Sequence, residues 1–395
     1  MERYRLKVGI VVRILWSAGT PKFSTEDAST LREKGPDVTL IFCGKTKNDD
    51  VNLLLIDGLN YKIIEESDTS KFVWSYNFFT GIFISNRCCD GRFDYNLAGR
   101  HPNYIKDMNL DYLLCQAQWA SLGRYYRYKK RSIRYVVIFH IPVNNLPSIK
   151  GMNGIFLYLA LRFQKEIIIH ASRISTETES IARAVRKFYN GEFRVTFNFS
   201  GLTDNVIRNY SKKQNKISLI SFWNEVKMAG IYIYVFKELY NYKFTRVWNR
   251  VLPEYNQKSM DKLKTDGVMD KVSLLGSISE VQKILLLKEK KIFVWFGQDE
   301  LWPGYGNIKV GIPIICNSSL GVAEYLENYT FARVLEDINN TDKLNQFIEL
   351  VDNEEIYDST QSDIDKIIVK YSWHKHTSRL VQEIGSVQRG INNNR

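Results

Sequence analysis

The chain has 395 residues, more than one ordinary domain holds, and at about 150 residues per domain it predicts two or three cores. A content of 44% hydrophobic and 25% charged residues, with 8 Pro, 23 Gly and a mean hydropathy of −0.28, excludes a disordered, collagen-like or membrane-embedded chain. The 55 Lys+Arg against 43 Asp+Glu leave a formal charge of +12, which favours anionic partners such as nucleotide phosphates, nucleic acid or acidic lipid without choosing among them.

In chain order, Val8 to Val12 predicts a buried first strand, because Arg13 ends the apolar run too early for a signal-peptide core. A helix is expected from Ser24 to Lys34, with Ser24 and Asp27 spaced as a capping box and Gly35-Pro36 as its stop. Val38 to Phe42 completes a βαβ unit. Further β-rich runs stand at Val51–Leu55, Lys71–Trp74, Tyr112–Cys115 and Tyr135–Phe139, which one parallel sheet accommodates. A second series runs through 216–222, 243–247, 271–275, 292–296 and 312–316, again a doubly wound pattern. The polar stretch before it is the linker candidate. The expected organisation is a first domain at 1–205, a linker at 206–215, a second domain at 216–362, and a helical segment at 363–395 that returns to the first domain.

Cysteines 43, 88, 89, 115 and 316 form no paired C-x-x-C set, so neither a disulfide framework nor a zinc site is expected, and a reducing cytosol fits best. The longest apolar runs fall far short of the ~20 residues that cross a bilayer.

Two open α/β sheets bind ligands at the carboxyl ends of their strands, so a cleft between them is the expected site. The richest loop there is Phe296 to Asn307, with Glu300 after a strand and Gly304-Tyr305-Gly306-Asn307 before a helix start. Such a turn can hold an anion on backbone N–H groups while Glu300 accepts hydrogen bonds from sugar hydroxyls; a tight turn with a solvated glutamate is the alternative. His140 ends a strong strand, where an imidazole can hydrogen-bond a sugar or an acceptor, or serve only the strand end. His101, His170, His374 and His376 lack metal-ligand spacing, and the last two read as a solvated helix end. The densest basic patch carries Arg124, Arg127, Lys129, Lys130 and Arg131 among tyrosines. It suits anionic lipid, a nucleic-acid backbone, or the solvated end of a helix.

In order and surroundings these segments resemble the retaining GT-B glycosyltransferases of glycosyltransferase family four. In the first half the resemblance lies in Ser17-Ala18-Gly19-Thr20, in Arg32 to Ile41, in Phe139-His140-Ile141-Pro142 and in Phe197-Asn198-Phe199-Ser200-Gly201. In the second half it lies in Ser273 to Ser279, Val294 to Glu300, Gly311-Ile312-Pro313-Ile314-Ile315 and the closing Tyr371-Ser372-Trp373.

The resemblance implies an α/β, GT-B fold with two Rossmann-like domains and a C-terminal helix crossing back to the first. It also implies a nucleoside diphosphate sugar as donor, a glycan or lipid-linked acceptor, and no cofactor or obligatory metal. Glu300 is then the sugar-binding carboxylate, His140 a contact to sugar or acceptor, and Lys227 with the loop Gly304–Asn307 the diphosphate site; Gly19 and Thr20 lie at the reacting region. Two positions depart from the family: Phe222 stands where it has a phosphate arginine, and Lys309 stands near its second glutamate. A guanidinium lost at Phe222 removes bidentate phosphate contacts that one lysine does not replace. These departures keep open a catalytically silent GT-B binding module, and the +12 charge with the basic patch at 124–135 keeps open a nucleic-acid-binding protein. The expected location is cytoplasmic, with possible peripheral contact at an anionic inner membrane face.

Overall fold

The structure, a computed structural model, describes residues 5–12, 19–43, 58–64, 108–116, 133–139, 165, 168–190, 195–197, 216–220, 229–239, 241–247, 253–275, 278–297, 308, 310–351 and 353–392. The chain divides into two compact units, 1–201 together with 373–395, and 202–372.

The first unit is built on strands β1 (Lys7–Val12), β2 (Asp37–Cys43), β3 (Asn60–Ile64), β4 (Tyr112–Gln116), β5 (Arg134–Phe139), β6 (Arg173–Thr176) and β7 (Val195–Phe197). Their order is β3-β2-β1-β4-β5-β6-β7, and every pairing is parallel. Val8, Ile10, Val11 and Val12 are all buried, as a strand covered on both faces requires. The order reverses between β1 and β4, the position at which doubly wound sheets bind ligands. Helix α1 (Gly19–Glu33) follows β1, and α2 (Glu179–Tyr189) follows β6. Thr178 caps α2 by accepting from Ile181 N at 3.0 Å, and Asn190 closes it in the left-handed conformation at φ 47°.

Helix α1 starts five residues earlier than expected, at Gly19 instead of Ser24. Pro21 does not prevent this, since the first turn has no intrahelical use for its N–H. Ser24 and Asp27 are consequently interior helix residues, fully buried, and form no capping box. The expected stop holds: Gly35 has φ 114°, outside the range favoured by residues with a Cβ.

The second unit repeats the plan with β8 (Lys216–Ile220), β9 (Lys243–Val247), β10 (Val272–Leu275), β11 (Ile292–Trp295), β12 (Ile314–Asn317) and β13 (Ala332–Leu335). The order is β10-β9-β8-β11-β12-β13, all parallel, with its reversal between β8 and β11. Around it lie α3 (Ala229–Glu238), α4 (Pro253–Thr265), α5 (Glu280–Lys288), the short α6 (Ala323–Leu326), α7 (Thr341–Leu350) and α8 (Glu354–Lys370). Side-chain caps start three of these helices: Ser279 with Gln282 in a full capping box, Asn340, and Asn353. Tyr232, Val235, Phe236, Phe244, Val294 and Phe296 centre the core.

The last helix, α9 (Trp373–Asn392), belongs to the first unit and packs on α1. Leu380 and Ile384 enter the same core as Val8, Ile10, Ala28 and Leu31. The return to the first unit thus begins at Trp373, ten residues later than the expected 363. Residues 354–370 form one helix whose Ile364 and Ile367 are buried, and its Asp363 accepts from Thr330 N at 3.0 Å and Thr330 Oγ1 at 2.9 Å. That helix stays with the second unit. The strands expected at 51–55 and 71–74 lie outside the described residues. No helix among the described residues is long and apolar enough to cross a membrane.

Candidate functional site

The carboxyl edge of the second sheet carries the most determinate geometry. Strand β11 lies beside β8 where the strand order reverses, and its chain leaves the sheet through Phe296 and Gly297. Both backbone groups of each residue are bonded by side chains. Tyr232, on α3, accepts from Phe296 N at 2.7 Å and donates to Phe296 O at 2.9 Å. Its ring stacks on that of Phe296, with centroids 5.7 Å apart. Asn317, the last residue of β12, accepts from Gly297 N at 3.0 Å and donates to Gly297 O at 2.9 Å. Ser319 also donates to Gly297 O, at 3.2 Å, and accepts from Asn317 Nδ2. Ser319 is exposed, but Tyr232, Phe296, Gly297 and Asn317 are buried, where an unpaired amide costs about 1–3 kcal/mol, so the exit of the chain has one strongly favoured path.

The chain comes back to the sheet through an equally fixed point. Ile308 and Val310 are buried, and Gly311 adopts φ 69°. Its carbonyl accepts from Tyr357 Oη and from Gln361 Nε2, each at 3.1 Å. That left-handed conformation favours glycine, and a Cβ there would also stand 2.6 Å from Gln361 Oε1 and make that side chain shift. Between these two stems runs the segment that contains Glu300, Gly304, Tyr305, Gly306 and Asn307. Those residues, together with Lys309, Phe222 and Lys227, lie outside the described residues. Lys227 precedes Ala229, the first residue of α3, by two positions.

On the first sheet, Gly19 and Thr20 occupy the first turn of α1, the helix that follows β1. That turn carries no acidic residue, and the positive end of a helix dipole favours an anion. His140, which follows the last residue of β5, is outside the described residues. The end of the neighbouring strand is polar and buried: Ser175, Thr176, Glu177 and Thr178, with Thr176 paired to Phe139. Glu177 is therefore a buried carboxylate one residue past that pairing, which sequence reading did not single out. Arg124, Arg127, Lys129, Lys130 and Arg131 also lie outside the described residues.

His376 differs from its expected role as a solvated helix end. It is buried, and its Nε2 lies 2.7 Å from Asp27 Oδ1, joining α9 to α1. Phe23 and Trp373 pack edge-on against its ring at 5.5 and 5.3 Å. His374, two residues earlier, is exposed, and its Nε2 lies 3.2 Å from Lys34 Nζ. Among the described residues no three His, Cys, Asp or Glu side chains converge as a metal set.

Two titrations are shifted in the second unit. The Cys316 thiol on β12, surrounded by apolar side chains with Glu327 near, is pushed up to about 12. Asp363 is held below the usual carboxylate range: desolvation opposes this, and hydrogen bonds from Lys366 and Thr330 outweigh it.

No protein-family model matches the chain, and no curated protein matches it in sequence. Solved structures do match its fold. A glycosyltransferase from Rickettsia africae is 12% identical, with a TM-score of 0.72, over 98% of this chain and 99% of its own. HepE from Anabaena, crystallised with UDP and glucose, is 10% identical at a TM-score of 0.73, over 97% of this chain and 100% of its own. Sucrose-phosphate synthase from Thermosynechococcus elongatus is 10% identical at a TM-score of 0.74, over 98% of this chain and 100% of its own. At these identities the likeness is one of architecture, and over nearly its whole length this chain has the GT-B fold of those glycosyltransferases.

Proposed function

We propose that this chain is a retaining glycosyltransferase that moves a hexosyl unit from a nucleoside diphosphate sugar to an acceptor hydroxyl. The observation that carries the reading is the whole-length GT-B match, which includes a protein crystallised with UDP and glucose. The bonded stems that precede and follow the Glu300 segment in sequence support it, because they lie at the edge where a doubly wound sheet binds ligands.

In this reading the second unit holds the donor. Glu300 accepts hydrogen bonds from the sugar hydroxyls, and Lys227 with the backbone of Gly304–Asn307 meets the diphosphate. As the bond from C1 to the diphosphate oxygen breaks, negative charge builds on that oxygen, and the lysine and N–H groups stabilise it without reorganising. The acceptor oxygen bonds to C1 on the same face, and its proton passes to the departing diphosphate. No metal is needed for this charge balance. His140 and the first turn of α1 at Gly19-Thr20 orient the sugar and the acceptor, a glycan or lipid-linked hydroxyl. The patch from Arg124 to Arg131 meets the acceptor or an anionic membrane.

The test is transfer itself, followed by nucleoside diphosphate release and by the anomeric configuration of the product. Glu300→Ala should abolish transfer, and Lys227→Ala should weaken binding of the nucleoside diphosphate alone. Wild-type turnover in Glu300→Ala would reject the site. Phe222 and Lys309 favour a second reading, a GT-B binding module without turnover. That module would release no nucleoside diphosphate with any donor and acceptor.

A further inference from the structure

The chain passes from the second unit to the first between Ser372 and Trp373, so the first turn of α9 is where it re-enters the first unit. A buried polar pair fastens that turn to α1. Trp373, His376 and Thr377 are buried, as is Asp27 on α1, whose Oδ1 lies 2.7 Å from His376 Nε2. Phe23 and Trp373 pack edge-on against the imidazole, with centroids at 5.5 and 5.3 Å. Thr377 Oγ1 donates to the Trp373 carbonyl within the same turn. Asp27 Oδ2 is buried too, and it has no hydrogen-bond partner among the described residues. We infer that Asp27 and His376 form a proton-dependent latch, which holds the first turn of α9 on α1 while the pair keeps its proton and frees that turn when the proton is lost.

The orphaned oxygen decides how the charge is balanced. A carboxylate held by several backbone N–H groups or by an arginine stays satisfied beside a neutral histidine. The Asp27 carboxylate has one hydrogen bond among the described residues, to His376, so the imidazole supplies the balance. With one titrating proton the pair is net neutral, wherever that proton rides between Nε2 and the carboxylate. Without it a net negative charge stays buried beside two aromatic rings, which is costly. Other charged groups near the pair reach water: His374, Lys375 and Arg379 on α9 are exposed, Glu26 on α1 is half-buried, and Lys34 just past α1 meets His374. β1 and β2 meet α1 and α9 through apolar side chains, Val8, Ile10, Leu40 and Phe42 among them. Leu380 and Ile384 dock the later turns of α9 in that apolar core, so release of the first turn leaves the rest of the helix in place. Because the docked turn favours the protonated pair, its contribution is complete below about 6.5, where a free histidine titrates, and fades as the pH rises above that value.

The latch stands whether or not the chain transfers sugar, and hydrogen exchange of the full chain tests it. Deuterium uptake is followed by mass spectrometry at pH 6 and pH 8.5, with each rate divided by that of an unprotected amide at the same pH. The informative amides are Thr377 to Leu380, which bond to the carbonyls of the first turn of α9, and those of α8 in the second unit serve as reference. Protection at 377–380 should fall about tenfold between the two pH values while α8 keeps its own. Asp27→Asn, which removes the charge, and His376→Gln, which removes the titrating group, should each erase that difference. His374→Gln, at an exposed position one step outside the pair, should keep it. Equal protection at both pH values in the wild type, a fall shared by α8, or a difference that survives Asp27→Asn would overturn the latch. If neither variant of the pair folds, the wild type and His374→Gln decide: a fall confined to α9 in both supports the latch, and its loss in His374→Gln rejects it.

Discussion

Asp27 and His376 illustrate how a single residue's role depends on a partner far away in sequence. The two are 349 positions apart, so no local pattern joins them, and a histidine beside Lys375 and His374 reads as a solvated helix end until the fold is known. Within the first unit the pair is buried, and removing one member leaves an uncompensated polar or charged partner. His376→Ala should destabilise this unit by about 3–5 kcal/mol, read as a lowered urea midpoint with the slope unchanged. Asp363 makes a different prediction in the second unit. Its folded pKa lies below the unfolded value of about 3.9, so its contribution is present above that value and is lost as pH falls through the folded one. Urea melts at pH 6 and pH 3 should therefore show a loss of stability in acid that is smaller in Asp363→Asn. An equal loss in both would assign acid sensitivity to other carboxylates. The stem residues Tyr232 and Asn317 were also illegible in the sequence, because a tyrosine in an apolar helix and an asparagine ending a strand are ordinary until their partners are seen.

At the scale of elements, what the sequence announced was apolar continuity. β1, β4, β5 and β11 stand within a residue or two of the expected runs, since strands buried on both faces are apolar almost throughout. β6, β7 and β13 did not stand out: Arg173-Ile174-Ser175-Thr176 mixes polar and apolar residues, and its burial comes from neighbours. The start of α1 was missed because Ser24 and Asp27 match a cap by spacing alone, while Gly19-Thr20-Pro21 looks like a turn. The closing helix was anticipated from the spacing of Trp373, Leu380, Val381 and Ile384, and it does bury Leu380 and Ile384 against β1 and α1. Leu380→Ala should cost about 2–5 kcal/mol through the cavity it leaves. The loss should appear in the unfolding of the first unit, and a change in the second unit alone would contradict the placement of α9. Most of the expected donor site, from Lys227 through Glu300 to Asn307, was read from motif order, and the structure contributes the stems that bracket it.

For the whole molecule, a fold shared at 10–12% identity shows how weakly architecture constrains sequence once buried strands, caps and turns are satisfied. The charge of +12 is a property at this scale too. If the Arg124–Arg131 patch meets anionic lipid, vesicle binding should fall with salt, each basic residue contributing about 1 kcal/mol that screening removes. Charge reversal there should then spare transfer to a soluble acceptor and lower transfer to a membrane-bound one. Retention of oligonucleotides that ignores nucleotide sugar would point to nucleic acid instead. Donor recognition is tested most directly by calorimetric titration of the intact chain with UDP-, GDP- and ADP-sugars, each with and without a metal chelator. Saturable binding of one donor, indifferent to the chelator and weakened in both Glu300→Ala and Lys227→Ala, is the expected result. Absence of binding by every donor, in a chain that melts cooperatively, would contradict glycosyl transfer by this protein.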